Sequence, residues 1–153
     1  MPFRNNHKAL LFLQAADSLK ILATSDRYGC PHIVIDNKIE LNDEGDIIYL
    51  EFLENSQSNS NLINSLWFKK PLIVHVKKGG EEYAVQGIPK YSIISGPIFE
   101  KYYQEAISKD ESADLSTVWV IKPTKVIDES FSYKKEKEIE EHPLVVHLDH
   151  LAK

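Results

Sequence analysis

The sequence is short of several residue types, and each shortage removes a class of function. A single cysteine, Cys30, leaves no partner for an intrachain disulfide and no thiolate set for a metal cluster. Arginine occurs twice, at Arg4 and Arg27, and the net charge is −5. No basic stripe is available to duplex nucleic acid or to an anionic membrane, so neither is expected as a partner. Long apolar runs are missing too. The stretch from Ala9 to Ala16 is interrupted by Gln14, and no run reaches the length of a membrane span. Met1 to Lys8 is polar and lacks the pattern of a secretory leader, so a cytoplasmic location is expected.

What is present suits one folded domain. The chain has 153 residues, 42% of them apolar and 27% charged, which is enough to build a core and too apolar for disorder. Punctuation by Gly, Pro, Asn and Asp divides it into short elements. Asn5 or Asn6 caps a predicted helix over about residues 6–17. LKILATS (19–25) and PHIVIDNKIEL (31–41) read as strands joined by the turn Asp26-Arg27-Tyr28-Gly29. DIIYLEFL (46–53) is a third strand, apolar on both faces.

The polar turn Ser56 to Asn61 then opens a helix over about residues 57–67. Leu62, Ile63, Leu66 and Trp67 recur there at helical spacing, which predicts one buried side. Lys69-Lys70-Pro71 ends it. LIVHVK (72–77) and the long EYAVQGIPKYSII (82–94) are the next strands, with Gly87 and Pro89 marking a bulge or bend. Gly96-Pro97 starts a third helix reaching about residue 109, and TVWVIKPTKVI (117–127) is a sixth strand. The reading is mainly β: a six-stranded, closed antiparallel barrel over 1–128 with short helices outside, then a charged extension over 129–153. Lys134 to Glu141 reads as a solvated helix or linker.

Individual residues carry weaker signals. Ser56 to Asn64 concentrates hydroxyls and amides at a helix start, where free N–H groups favour anions. Asp36 within an apolar strand needs a partner, and Lys38 lies two residues on, on the same face. His147 and His150 have a spacing that metals can use, but no further ligand is fixed by spacing, and no metal site is expected. Leu144, Val145, Val146, Leu148 and Leu151 could cover a second subunit.

The order of these pieces resembles the pyridoxamine 5′-phosphate oxidase-like family of FMN-binding split barrels. The resemblance is carried by ILATSDRYGCPHIV (21–34), by Asn61-Leu62 with Asn64, and by LWFKKPLIVHV (66–76). Tyr83-Ala84-Val85-Gln86-Gly87 and Gly96-Pro97-Ile98-Phe99 extend it, so that it spans about residues 8–128. The resemblance implies a homodimer with FMN between the subunits and a flavin-dependent oxidoreductase acting on a small molecule. Carried over by position, it nominates His32, Val34, Ile35, Asp36 and Asn37 along the second strand. It also nominates Ser56, Gln57, Ser58, Asn59, Ser60, Asn61 and Asn64 in the turn and helix start, with Trp119 and Lys122 reaching the partner's flavin. This chain departs from relatives that place Lys or Arg in that turn; Lys38, Lys69, Lys70 and Lys77 are the candidates to replace them. Two alternatives stand beside the enzyme: a non-catalytic flavin or tetrapyrrole binder, and a cofactor-free dimeric barrel.

Overall fold

A computed structural model describes residues 7–142 of the chain. One seven-stranded antiparallel sheet runs in the order β2-β1-β5-β6-β7-β4-β3. Its strands are β1 (Leu19–Ser25), β2 (Pro31–Ile35), β3 (Glu40–Leu41), β4 (Ile47–Glu51), β5 (Leu72–Lys78), β6 (Glu81–Ile93) and β7 (Thr117–Asp128). Four helices flank it: α1 (His7–Gln14), α2 (Gln57–Phe68), α3 (Pro97–Lys109) and α4 (Phe131–Glu141).

The extra strand corrects the expected count of six. The run 31–41 breaks because the Asp36 carboxylate accepts from the Lys38 N–H at 2.8 Å, turning the chain after Ile35. Asp36 therefore serves a turn, where either an ion pair with Lys38 or a flavin contact was expected. The expected closed barrel is also corrected to a half-barrel: β2 and β3 form the two edges of the sheet and do not pair with each other. Yet Ile35 and Glu40 are five residues apart, a span of about 18 Å at most. The sheet must curl until its edges approach. Lys20 holds the gap: its N–H donates to the Asn37 side chain at 3.2 Å and its ammonium to the Asn37 carbonyl at 3.1 Å. Lys20 is buried, and burial pulls its pKa below the usual 10.5.

The concave side encloses the main core. Leu22, Ile47, Tyr49, Val74, Val76, Val85, Trp119 and Ile121 meet there, with Ala9 and Leu13 of α1 and Leu62 of α2. Each large apolar side chain so buried contributes about 1.5–3 kcal/mol. On the other face of β4 and β7, Ile48, Val118 and Val120 pack with Tyr102 of α3 and with Leu115. Strand β4 is thus apolar on both faces because both are covered.

Helix α1 stops at Gln14, short of the expected 17. The buried Ser18 hydroxyl reaches back to the Phe12 and Ala15 carbonyls and caps the helix end. In β6 the register with β7 shifts after Gln86 and again after Pro89, as the Gly and Pro signals indicated. A Cβ at Gly87 would lie 2.8 Å from the Lys122 carbonyl oxygen, so β7 crosses there only over glycine. Helix α4 is exposed along its whole length, the solvated helix expected of its charge run. His147, His150 and the apolar residues 144–151 lie outside the described residues. No helix among the described residues is long and apolar enough to cross a membrane.

Candidate functional site

The β1–β2 turn is built rigidly. The Asp26 carboxylate accepts from the N–H groups of Tyr28 and Cys30 at 2.8 and 2.9 Å, and Gly29 takes the positive φ of 85° that the turn requires. This leaves Arg27 and Tyr28 at the tip, with the guanidinium 4.8 Å from the Tyr28 ring centre.

Helix α2 starts at Ser56, whose hydroxyl accepts from the Asn59 N–H at 3.0 Å. It ends where Lys69 turns left-handed at φ 54° and Pro71 follows. Between these caps its buried face is largely polar. Asn59 accepts from the Trp119 indole N–H at 2.9 Å and donates to the Glu54 carbonyl at 2.9 Å. Asn61 donates to the Thr24 hydroxyl at 3.0 Å and accepts from Gln57 at 2.8 Å. Ser58 Oγ lies 3.4 Å from Nδ1 of His32. Leu62 is fully buried among these groups, while Ile63, Trp67 and Phe68 are exposed. The expectation of one buried apolar side holds for Leu62 and fails for Ile63 and Trp67, because polar pairing with the barrel sets the helix rotation.

The same end of the barrel holds a buried carboxylate. Glu51 accepts from the Tyr49 hydroxyl at 2.8 Å and from the Leu53 N–H at 3.1 Å. Burial, reinforced by that bond, drives the Tyr49 phenol well above its usual 10. Two buried polar atoms on α2 have no hydrogen-bond partner among the described residues, Asn64 Nδ2 and Ser65 Oγ.

Two cavities flank α2. One, about 270 Å³, lies between the β1–β2 turn and the stripe Gln57, Ser60, Asn61 and Asn64. The other, about 740 Å³, runs along the flank of Ser56, Asn59 and Ile63 toward Leu53, Ile94 and Thr117. A third, about 520 Å³, lies apart, between Phe52 and α3, with Glu40, Glu105, Lys38 and Lys109 at its walls. Burial, and then the nearby Glu105, raise the Glu40 carboxyl above its usual range.

These positions sort the expected site residues. Opposite Thr24 and Leu22 in the register, His32 and Val34 face inward toward α2. Ile35 points outward and is exposed, and Asp36 and Asn37 form the turn that closes the half-barrel. Gln57, Ser60, Asn61 and Asn64 gather at one cavity, while Ser56 and Asn59 line the other. Trp119 is buried and tied to Asn59; Lys122 is exposed on β7 opposite Ile88. Sequence reasoning overlooked Arg27 and Thr24. The turn signal at 26–29 placed Arg27 at a hairpin tip, but nothing local told that α2 would pack against that tip. Among the described residues, no group of three His, Cys, Asp or Glu could hold a metal ion.

No protein-family model matches the sequence, and neither does any curated protein. Solved structures do match. An FMN-binding protein from Syntrophomonas wolfei subsp. wolfei superposes with a TM-score of 0.62 at 17% identity, over 83% of this chain and 86% of that one. HutZ, the heme storage protein from Vibrio cholerae, gives 0.58 at 12% identity, over 84% and 95%. A candidate pyridoxamine 5′-phosphate oxidase from Listeria innocua gives 0.57 at 13% identity, over 83% and 99%. With its curled antiparallel sheet and the helix laid across the β1–β2 hairpin, the chain has the fold of the pyridoxamine 5′-phosphate oxidase-like split barrels.

Proposed function

We propose that this chain is an FMN-binding protein that works as a homodimer, with the flavin at the subunit interface, and that it is a flavin-dependent oxidoreductase acting on a small molecule. The observation that carries the reading is the start of α2. Its first N–H groups have no partner within the helix, and the cavity beside it is lined by the polar residues Gln57, Ser60, Asn61 and Asn64. That donor set fits the phosphate end of FMN. When bound, the flavin supplies hydride and single-electron transfer. The chain's own part is to bind and orient it. Ser58 meets His32 on the buried side of α2, and the buried Asn59–Trp119 and Asn61–Thr24 bonds keep the helix start in place.

The cavity of about 270 Å³ is smaller than the roughly 300–1,000 Å³ that a drug-sized ligand fills. The isoalloxazine therefore projects beyond it, which supports a second subunit as the other wall. Two exposed apolar surfaces suit that subunit. Ile63, Trp67 and Phe68 lie along α2, and Ile33, Ile35 and Ile73 share the convex face of the sheet.

A tetrapyrrole binder is the second reading, favoured by the similar superposition on a heme storage protein. The purified protein distinguishes them. FMN reading: yellow protein, FMN released on denaturation, reoxidisable reduction by NADH or NADPH, and a dimer by sedimentation. A Soret band on adding haemin, with no quenching of FMN fluorescence, would replace that reading by the second.

A further inference from the structure

We infer that the cavity between Phe52 and α3 binds a small organic amine, with its apolar body on Phe52 and its protonated nitrogen between the carboxylates of Glu40 and Glu105. The inference does not rest on the flavin reading. The cavity lies against α3 and shares no residue with the one lined by Gln57, Ser60, Asn61 and Asn64. Strand register builds its first wall. Glu40 pairs with Ile48, so its side chain leaves the sheet on the face that α3 covers, and alternation puts Leu50 on that face too. On α3, Glu105 and Ala106 follow the buried Tyr102 by three and four residues and stand along the same flank. Beyond the helix the Asp110 carboxylate accepts from the Ser112 N–H at 3.0 Å and from its hydroxyl at 2.7 Å, a turn that closes the end of the cavity. The space so enclosed, about 520 Å³, falls within the roughly 300–1,000 Å³ of small-molecule sites. Leu50, Phe52, Leu53 and Ala106 give it an apolar floor.

Charge selects the ligand. Glu40, Glu105, Asp110 and Asp114 line the cavity against Lys38 and Lys109, so acids are in excess. Both lysines already face a favourable group. The Lys38 ammonium lies 5.6 Å from the Phe52 ring centre, and Lys109 sits in the last turn of α3, where the helix dipole favours a cation. Asp110 is held by Ser112. Glu40 and Glu105, by contrast, make no ion pair among the described residues. Loss of water at the cavity wall raises the Glu40 carboxyl above its usual range, and repulsion from Glu105 adds to the rise. A cation between the two relieves that repulsion. A metal ion does not suit the place, since no group of three His, Cys, Asp or Glu among the described residues could hold one. The apolar floor asks instead for a cation that carries hydrocarbon, and an amine does.

The test uses three probes of one shape on the full chain without added flavin: phenethylamine, 2-phenylethanol and 3-phenylpropionate. Calorimetry at about pH 7 keeps the amine protonated and the carboxylates ionised. Phenethylamine is expected to bind saturably, and the alcohol and the acid at least about 10-fold more weakly. Glu40→Gln and Glu105→Gln should each weaken the amine about 10-fold, as for a lost charge-assisted bond, and leave the alcohol unchanged. Both glutamates are exposed, and thermal midpoints check that the variants fold. Amine affinity that is unchanged in both variants overturns the inference. So does an amine that binds no tighter than the alcohol, a preference for the acid, or no saturable binding of the amine.

Discussion

Helices α2 and α3 cover the same sheet in opposite ways. Helix α3 buries Tyr102 against Ile48, Val118 and Val120 and keeps its charges outside, so hydrophobic burial holds it. Helix α2 buries Ser58, Asn59, Asn61 and Ser65 and leaves Ile63, Trp67 and Phe68 exposed. It is held by directional bonds to Trp119, Thr24 and Glu54 O, with Leu62 as its apolar anchor. Burial tolerates small slides, whereas a set of hydrogen bonds does not. The helix that carries the candidate site is the one whose position is specified bond by bond, and its apolar face remains available to a second subunit.

Truncating the apolar anchor of α3 should have the largest effect: Tyr102→Ala is expected to lower unfolding free energy by about 3–5 kcal/mol in urea titrations. It should leave FMN affinity nearly unchanged. Asn59→Leu should lower stability by about 2–4 kcal/mol, since the Trp119 N–H and the Glu54 carbonyl are both left unpaired. Unlike Tyr102→Ala, it should also weaken FMN binding; a loss of stability without that change would erase the contrast between the helices. Ser56→Ala removes the cap of α2 and should lower stability by about 1 kcal/mol, seen as a shift in the urea midpoint.

Trp67→Ser should change the stability of a single subunit by less than about 0.5 kcal/mol, because the side chain is exposed. Its expected effect is on assembly, as a lower sedimentation coefficient at micromolar protein. The smallest effect expected is on acid stability, outside both helices. His75 holds Glu82 below its usual 4.5 through a 2.7 Å contact. A depressed carboxylate contributes stability above its unfolded value, and that contribution is lost as pH falls through the folded value. Stability measured below pH 4.5 should therefore fall less steeply in His75→Ala.

The strands and helices were largely legible because their limits are chemical. Gly29, Pro71, Gly79-Gly80 and Gly96-Pro97 end or start elements for local reasons of φ and missing donors. The break at Asp36-Asn37-Lys38 was not legible, since the apolar pattern continues across it and the turn is made by one carboxylate on a backbone N–H. The candidate site was half legible. Gln57, Ser60, Asn61 and Asn64 share a helical flank that spacing alone defines. That Asn59 turns to Trp119, and Asn37 to Lys20, depends on partners 60 and 17 residues away.

By itself, then, the sequence determined the elements, their antiparallel hairpins and the polar start of α2, because these follow from periodicity, capping and turn chemistry within a few residues. Tertiary structure decided how far the sheet curls, which face of α2 is buried and that the polar flank of α2 meets the β1–β2 turn. Each of these follows from distant groups competing for the same buried donors and acceptors, and no local pattern records the outcome of that competition.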